Sequence, residues 1–545
     1  VRNYVGHLPD ERPPYLLVLD VGKTLLVWDH WSGDFGGFNA ARRIDLRKLA
    51  DAPADVALLK AIWEDPASLD PRAKAARVTK EIAAKLAELA TSLESRGHPQ
   101  EVVAQFLIRI MFTMFAEDVD LLPGETLEHL LSDVPLEELP SALEDLWKAM
   151  DRGGRFGGRK LARFNGNFFE DPRALPLTAE DKTLLILAAQ KEWQEVEPSI
   201  FGTLMVRALD PAERHRLGAE FTPREFVERL VRPTIEEPVR ERWTLVQAQV
   251  LQLRESGKEK DRKAALKAVQ DYHEWLCGLQ ILDPACGSGN FLYVTLHLLK
   301  RIELEVRALE NELRKRGDAD LRLFEIHPRQ FHGIEVKPWA REIAELTLWI
   351  GYYQFWKQYE HVEHPEPILE DTATIECRDA VLAWDEIRHD PSRDRPDPTP
   401  RIPSPVTGEL IPDPTAKLPY MEYVNPRPAE WPQADFIVGN PPYVGNKRMR
   451  DALGDGYVEA VRSAYPEVPG SADLVMFWWY RSGLAVAKGA VLSAGLITTN
   501  SIRQPFNRPV VSLVRESGGR IVWAIGDHPW TDEVDGAAVR VSLTV

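Results

Sequence analysis

Cysteine is scarce in this chain: Cys277, Cys286 and Cys377 are the three thiols among 545 residues. None is spaced as Cys-x-x-Cys, so neither a disulfide framework nor a structural zinc site is expected, and a reducing, cytoplasmic compartment suits the chain best. Long apolar runs are missing too. No stretch of membrane-spanning length exists, and the opening "VRNYVGHLPDERPPY" lacks the apolar core of a signal peptide, which points to a soluble chain with no membrane partner. Positive charge is outnumbered: 67 Lys and Arg face 84 Asp and Glu, for a net charge of −17. Nucleic-acid affinity comes largely from Lys and Arg on phosphates, so only local basic runs could serve such a partner. Two exist, "DRGGRFGGRKLARFNGN" (Arg152, Arg155, Arg159, Lys160, Arg163) and "GNKRMRD" (Lys447, Arg448, Arg450), and each on its own also reads as a solvated loop.

What is present is enough apolar residue, 44%, and enough length for about three to four globular domains. The stretch "PPYLLVLDVGKTLLVWDHW" reads as two strands joined by a Val-Gly-Lys turn, a pair that cannot stand alone. From Pro53 to about Arg216 the pattern is helical. "AKAARVTKEIAAKLAELATSLESRG" is closed by Gly97, and "EVVAQFLIRIMFTMFAED" is apolar nearly all round, as at the centre of a bundle. A charged helical segment follows from Glu236 to Glu274. Strands then alternate with helices: "LQILDPA", "FHGIEV", "TIECRDA", "ADFIVG", "GAVLSAGLITT", "RIVWAIGD" and "AAVRVSLTV". Alternation of this kind predicts an α/β fold with a doubly wound parallel sheet. The last two strands are separated only by "HPWTDEVDG", so they should form an antiparallel hairpin at one edge. A Pro-rich stretch from 389 to 432 reads as a surface excursion.

The first strand of this region ends in "LDPACGSGNFL". Gly287, Ser288 and Gly289 form a tight turn that lets a nucleotide-like ligand approach the backbone. It is not a phosphate-binding P-loop, since no Gly-Lys-Ser/Thr follows. Nor is it a good NAD fingerprint, since Leu292 takes the third glycine's place. Glu335 and Asp379 end the next two strands; each alone could be a surface acid, but at successive carboxyl ends of one sheet the two describe an adenosine pocket. Glu335-Val336-Lys337 also spells half of a metal-dependent nuclease site, but no aspartate on a partner strand completes it, so no metal ligands are assigned.

"ADFIVG" runs into "NPPYVGNK". Two consecutive prolines remove two backbone donors and fix φ near −65°, so Asn440, Pro441, Pro442 and Tyr443 leave the strand as a rigid turn. Simple strand-ending punctuation is the alternative.

"DPACGSGNF" with "NPPY", preceded by "GAEFTPREFVERLV", closely resembles the amino-type DNA methyltransferases that use S-adenosyl-L-methionine. The order Phe-Thr-Pro, glycine loop, Asn-Pro-Pro-Tyr resembles the gamma arrangement of adenine-N6 enzymes, over the chain from about Gly218 onward. "FLIRIMFTMFAED", "GNPPYVGNK" and "GSADLVMFWWYRSG" are similar to the MmeI-like, type IIL, restriction-modification subgroup, with phage-defence methylases as close rivals. The resemblance implies a doubly wound class I methyltransferase sheet preceded by a helical domain. Phe221, Thr222 and Pro223 would pack on the cofactor's methionine moiety, with Phe in place of the commoner Tyr. Asp283, Ala285, Gly287, Gly289, Asn290 and Phe291 would hold the methionine end, Glu335 the ribose and Asp379 the adenine.

The partner implied is double-stranded DNA with its target adenine flipped out. Asn440 and the Pro441 carbonyl would accept from the N6 amine, Tyr443 would stack on the base, and Lys447, Arg448 and Arg450 would contact phosphate. By the same resemblance, 1–52 is expected to be the remnant of a nuclease-like domain and 53–216 a helical spacer. Residues 217–545 would be the methyltransferase domain with inserts at 236–274 and 389–432, and a target-recognition domain would be missing from the chain. The expected activity is methylation of adenine N6 within a restriction-modification or phage-defence system. The alternatives are an RNA or protein-glutamine methyltransferase and a catalytically degenerate DNA-binding module.

Overall fold

A computed structural model describes residues 14–29, 41–161, 163–164, 169, 171–193, 196–198, 202, 222–314, 324–359, 373–397, 399–403, 409–413, 415–530 and 539–545. Its centre is a seven-stranded sheet of β1 (Ile281–Asp283), β2 (Phe331–Glu335), β3 (Ile375–Cys377), β4 (Phe436–Gly439), β5 (Ser493–Thr499), β6 (Ala524–Pro529) and β7 (Arg540–Thr544), in the spatial order β3-β2-β1-β4-β5-β7-β6. The first five strands are parallel, with Gly333 opposite Ile375 and Phe436 opposite both Ile281 and Ser493. β7 lies antiparallel between β5 and β6, so the expected edge hairpin is present. β1 and β4 are buried at every position, as short apolar strands covered on both faces must be.

Alternate residues of these strands feed two cores. Ile281, Phe331 and Phe436 face helices α1 (Asn290–Leu313) and α2 (Pro338–Tyr359), while Leu282, Ile334 and Ile437 face α3 (Val475–Ala487). This two-residue alternation sets the layers of the fold. The strand order reverses between β1 and β4, which opens a crevice at their carboxyl ends. Gly289 starts α1 at φ +82°, and a Cβ there would come within 2.9 Å of the Ala344 Cα on α2. Only glycine permits that helix approach.

The first core runs on into the helical region. Its axis is the helix Gln100–Asp118, buried continuously from Phe106 to Ala116. At this axis Trp147 Nε1 donates to Thr113 Oγ1 at 3.0 Å, and Thr113 donates to the Arg109 carbonyl. The helix Pro71–Ser95 ends before Gly97, whose φ is +88°.

Three features depart from the sequence reading. The N-terminal strand pair Tyr15–Asp20 and Thr24–Asp29 gains a third antiparallel partner, Arg42–Asp45. Part of the basic run at 152–163 is a hairpin of Gly154–Phe156 with Arg159–Leu161. The Pro-rich stretch is an antiparallel arm, with Glu386–His389 paired to Met421–Val424, Arg395–Pro396 to Lys417–Leu418 and Arg401–Pro403 to Leu410–Pro412. Prolines fit because each strand of a two-stranded arm has an outer edge that needs no donor. The arm is anchored at Arg393–Glu459 (2.6 Å) and Arg395–Asp455 (2.8 Å).

Candidate active site

A cavity of about 480 Å³ occupies the crevice, within the range of small-molecule sites. Thr222, Ala285, Gly287, Asn290, Phe291, Glu335, Asp379 and Asn440 through Tyr443 line it. The three segments expected to act together do converge, the glycine loop and the Asn-Pro-Pro-Tyr turn from strand ends and Thr222 from the start of a helix. Pro223 follows Thr222 and directly precedes the helix Arg224–Val231. Phe221 lies outside the described residues.

At the end of β1, Asp283 is fully buried and its Oδ1 accepts from Ala285 N at 3.0 Å. Gly439 makes room for it, since a Cβ there would sit 2.5 Å from Asp283 Oδ1. The other oxygen, Oδ2, has no partner among the described residues. Burial, with the Glu335 charge adding to it, pushes this carboxyl up to about 8.

Glu335, at the end of β2, accepts from Gly287 N (3.1 Å), Val336 N (2.9 Å) and Lys337 N (3.0 Å). Burial raises its pKa against the pull of these bonds. The glycine loop and the second strand are thus tied to one another through a single carboxylate. Gly287, at φ +52°, has open space where a Cβ would point.

Asp379 follows β3. Its Oδ1 accepts from Val381 N (2.7 Å) and Leu382 N (2.8 Å), and its Oδ2 accepts from the Tyr457 hydroxyl at 2.7 Å. Tyr457 itself lines the cavity, as do Tyr423 of the arm and Trp478 of α3, whose Nε1 donates to the Pro284 carbonyl at 2.9 Å. Sequence reading passed over all three. "GSADLVMFWWYRSG" holds Trp478 without marking it, and Tyr457 and Tyr423 stand in no motif, so only the fold reveals them.

Asn440 begins the turn after β4. Its Nδ2 donates to Thr222 Oγ1 at 3.0 Å, and its Oδ1 accepts from the Tyr443 hydroxyl. Asn290 Nδ2 donates to the Thr222 carbonyl at 2.9 Å, so one threonine is gripped from two sides. The Tyr443 ring meets Trp530 edge-on at 6.0 Å, adding an aromatic wall from the edge hairpin.

The basic loop divides. It forms the helix Asn446–Leu453, on which Lys447 and Arg448 are exposed and unpaired among the described residues. Arg450 is instead held by Asp455 (2.6 Å) and Glu459 (3.4 Å). Its guanidinium braces the next helix, so its expected role as a phosphate contact is not supported.

Residue types suited to a metal meet once among the described residues, at His273, Cys277 and Glu303, between the inserted helix Glu259–Gly278 and α1. The cluster is already internally satisfied. His273 lies between Glu303 and Glu310, each at 3.5 Å, and the fully buried Lys300 reaches Glu303 (3.3 Å) and Glu325 (2.7 Å). Burial would lower the imidazolium pKa, but hydrogen bonds with Cys277, Glu303 and Glu310 outweigh it and hold it at about 11. This is a charge-balanced clamp between helices.

Among the described residues no helix is long and apolar enough to cross a membrane. Residues 255–545 match the family model for the MmeI DNA-methyltransferase domain, and residues 101–169 match that for the MmeI helicase spacer domain. DNA methyltransferase A of Bacillus subtilis (strain 168) is 23% identical over 463 residues, which take in 81% of this chain and 45% of that protein. The chain therefore spans less than half the length of this relative. The type IIL restriction-modification enzyme MmeI, solved in complex with DNA, superposes with a TM-score of 0.59 at 22% identity, over 85% of this chain and 56% of that one, a likeness of fold. Since the first family match takes in the whole central sheet and nearly all of the cavity built on it, the chain belongs to the MmeI DNA-methyltransferase family.

Proposed function

We propose that the cavity binds S-adenosyl-L-methionine and offers its methyl group to the N6 amine of an adenine flipped out of duplex DNA, within a restriction-modification or phage-defence system. The observation that carries this reading is the convergence of Glu335, Asp379 and Asn440 on one cavity at successive carboxyl ends of the sheet. Residues 217–545 act as the methyltransferase region, with 53–216 as a helical spacer.

The donor set suits the cofactor. Glu335 and Asp379 are acceptors for ribose hydroxyls and an adenine amine, and the bare Gly287 lets the ligand reach the backbone. Asp283 Oδ2, without a partner among the described residues, belongs to a buried carboxyl whose charged form a cationic ligand would stabilise. Thr222, Pro223, Ala285, Gly289, Asn290 and Phe291 shape the methionine end. Bound there, S-adenosyl-L-methionine supplies an electrophilic methyl on a sulfonium.

The chain's own residues do the rest. An exocyclic adenine amine is a weak nucleophile because its lone pair is delocalised into the ring. The Asn440 Oδ1 and the Pro441 carbonyl accept its two hydrogens and favour a pyramidal nitrogen. Pro441 and Pro442 fix those acceptors, and the Thr222 bond on Nδ2 keeps the carboxamide oxygen turned to the base. Tyr443 stacks on the extruded base, contributing ~1–3 kcal/mol toward the unstacking cost. Lys447 and Arg448 meet the adjacent phosphates.

The test is calorimetry with S-adenosylhomocysteine, followed by methyl transfer to duplex DNA. One binding site is expected, weakened in Asp379→Ala. A flat titration with folded protein would overturn the cofactor assignment, and methyl transfer to cytosine alone would overturn the base assignment.

A further inference from the structure

We infer that Tyr457 is a positioning residue that turns Asp379 into a selective acceptor for a purine 6-amino group, and that the Pro-rich arm is the scaffold that holds it there. The inference rests on the cofactor reading above and adds a determinant of which purine the pocket admits.

A carboxylate has about four lone-pair directions. Two on Asp379 Oδ1 are filled by the Val381 and Leu382 amides, and one on Oδ2 by the Tyr457 hydroxyl. One direction on Oδ2 is left for a ligand. With its proton committed to Asp379, the phenol adds no donor of its own; burial and the Asp379 charge both hold it protonated. The Asp379–Tyr457 pair therefore offers a ligand acceptors only. A 6-amino purine brings the matching donor, whereas a 6-oxo purine brings a carbonyl oxygen against a carboxylate oxygen and leaves a polar group unpaired.

The arm makes the arrangement rigid. The helix Asp455–Ala464, which carries Tyr457, starts so close to the arm that a Cβ on Gly456 would lie 1.7 Å from the Met421 carbonyl oxygen. The Tyr457 ring packs edge-on against Tyr423 of the arm at 5.6 Å, and Tyr423 packs edge-on against Trp384 at 5.0 Å. The loop bearing Asp379 is braced by Tyr465, which caps this same helix, on the Val381 carbonyl (2.7 Å) and by Arg481 on the Ala380 carbonyl (2.6 Å). One helix thus holds the phenol and, through Tyr465 at its end, the loop that carries the carboxylate.

The experiment measures binding of S-adenosylhomocysteine and of its 6-oxo analogue, S-inosylhomocysteine, to the full chain, to Tyr457→Phe and to Asp379→Asn, with circular dichroism confirming that each is folded. The unaltered protein should prefer the adenosyl ligand by at least about tenfold. Tyr457→Phe keeps the ring and its packing, and should lose about tenfold for the adenosyl ligand while barely changing the inosyl one. In the Asp379→Asn background, Tyr457→Phe should have little further effect, because the two residues act as a unit. If Tyr457→Phe binds both ligands as the unaltered protein does, or weakens both equally, the positioning role is overturned and the cofactor site stands. If the unaltered protein binds neither, the cofactor reading fails and this inference with it.

Discussion

Asn440 and Thr222, 218 positions apart in the chain, are joined by a 3.0 Å hydrogen bond from the asparagine Nδ2 to the threonine Oγ1. The bond decides which end of the carboxamide faces the cavity, because the amide nitrogen is occupied and the oxygen is not turned away. Thr222→Val removes the acceptor at similar volume. It should slow methyl transfer about tenfold while changing S-adenosylhomocysteine affinity much less, and Thr222→Ser should restore the rate. Single-turnover methylation beside calorimetry separates the two effects, and an equal loss in both would assign Thr222 to cofactor binding alone.

Asn440→Ala should abolish methyl transfer and leave cofactor affinity nearly intact, since the side chain faces the target base. Tyr443 has two functions that substitution can separate. Tyr443→Phe keeps the stacking face and loses only the hydroxyl bond to Asn440, whereas Tyr443→Ala loses the face, worth ~1–3 kcal/mol. Turnover should therefore fall much further for Ala than for Phe. Near-normal turnover in Asn440→Ala would remove this residue from the base site.

The parallel sheet and its edge hairpin were legible because buried strands are short apolar runs and the helices between them have a different period. Asp283, Glu335, Asp379 and Asn440 were legible because each follows a short apolar run that reads as a strand, with Pro284 and Pro441 adding a stop signal at the first and last. Tyr457 was not. It lies on a helix 78 residues beyond Asp379, and nothing in its local pattern tells which way it faces. The same limit hid the arm, since its prolines carry the local signal while its pairing is long-range. Arg450 shows the converse: its charge suggested a phosphate, and only the neighbouring Asp455 and Glu459 reveal that it is already used.

His273 should be the pH-sensitive member of the helix clamp. Its imidazolium is held at about 11, above the usual 6.5, so the stability it contributes is complete below about pH 6.5 and declines as pH rises toward 11. Glu310 is held at about 2 by its bonds to His273 and Arg314, so its contribution is complete above about 4.5 and lost as pH falls through 2. His273→Gln leaves Glu303 buried beside one cation fewer and should cost ~3–5 kcal/mol near pH 6. Urea unfolding of the two proteins should give a smaller difference at pH 9 than at pH 6. A difference that grows with pH would show that the histidine is neutral in the fold.

The three basic residues after the Asn-Pro-Pro-Tyr turn should behave as two classes. Lys447 and Arg448 project from a helix that begins three residues after Tyr443 and make no ion pair among the described residues, so each is free to meet a phosphate beside an extruded base. Releasing one counterion per contact changes the slope of log K against log salt by about one, so Lys447→Ala and Arg448→Ala should each weaken duplex binding and flatten that slope by about one. Arg450 is bound to Asp455 and Glu459, at the start of the helix that carries Tyr457. Arg450→Ala should leave the salt slope unchanged and instead weaken S-adenosylhomocysteine, because a loosened helix no longer holds the Tyr457 hydroxyl on Asp379. Gel shifts at several salt concentrations, run beside calorimetry, distinguish these outcomes. A slope reduced by Arg450→Ala would mean that the guanidinium leaves its acidic partners for DNA.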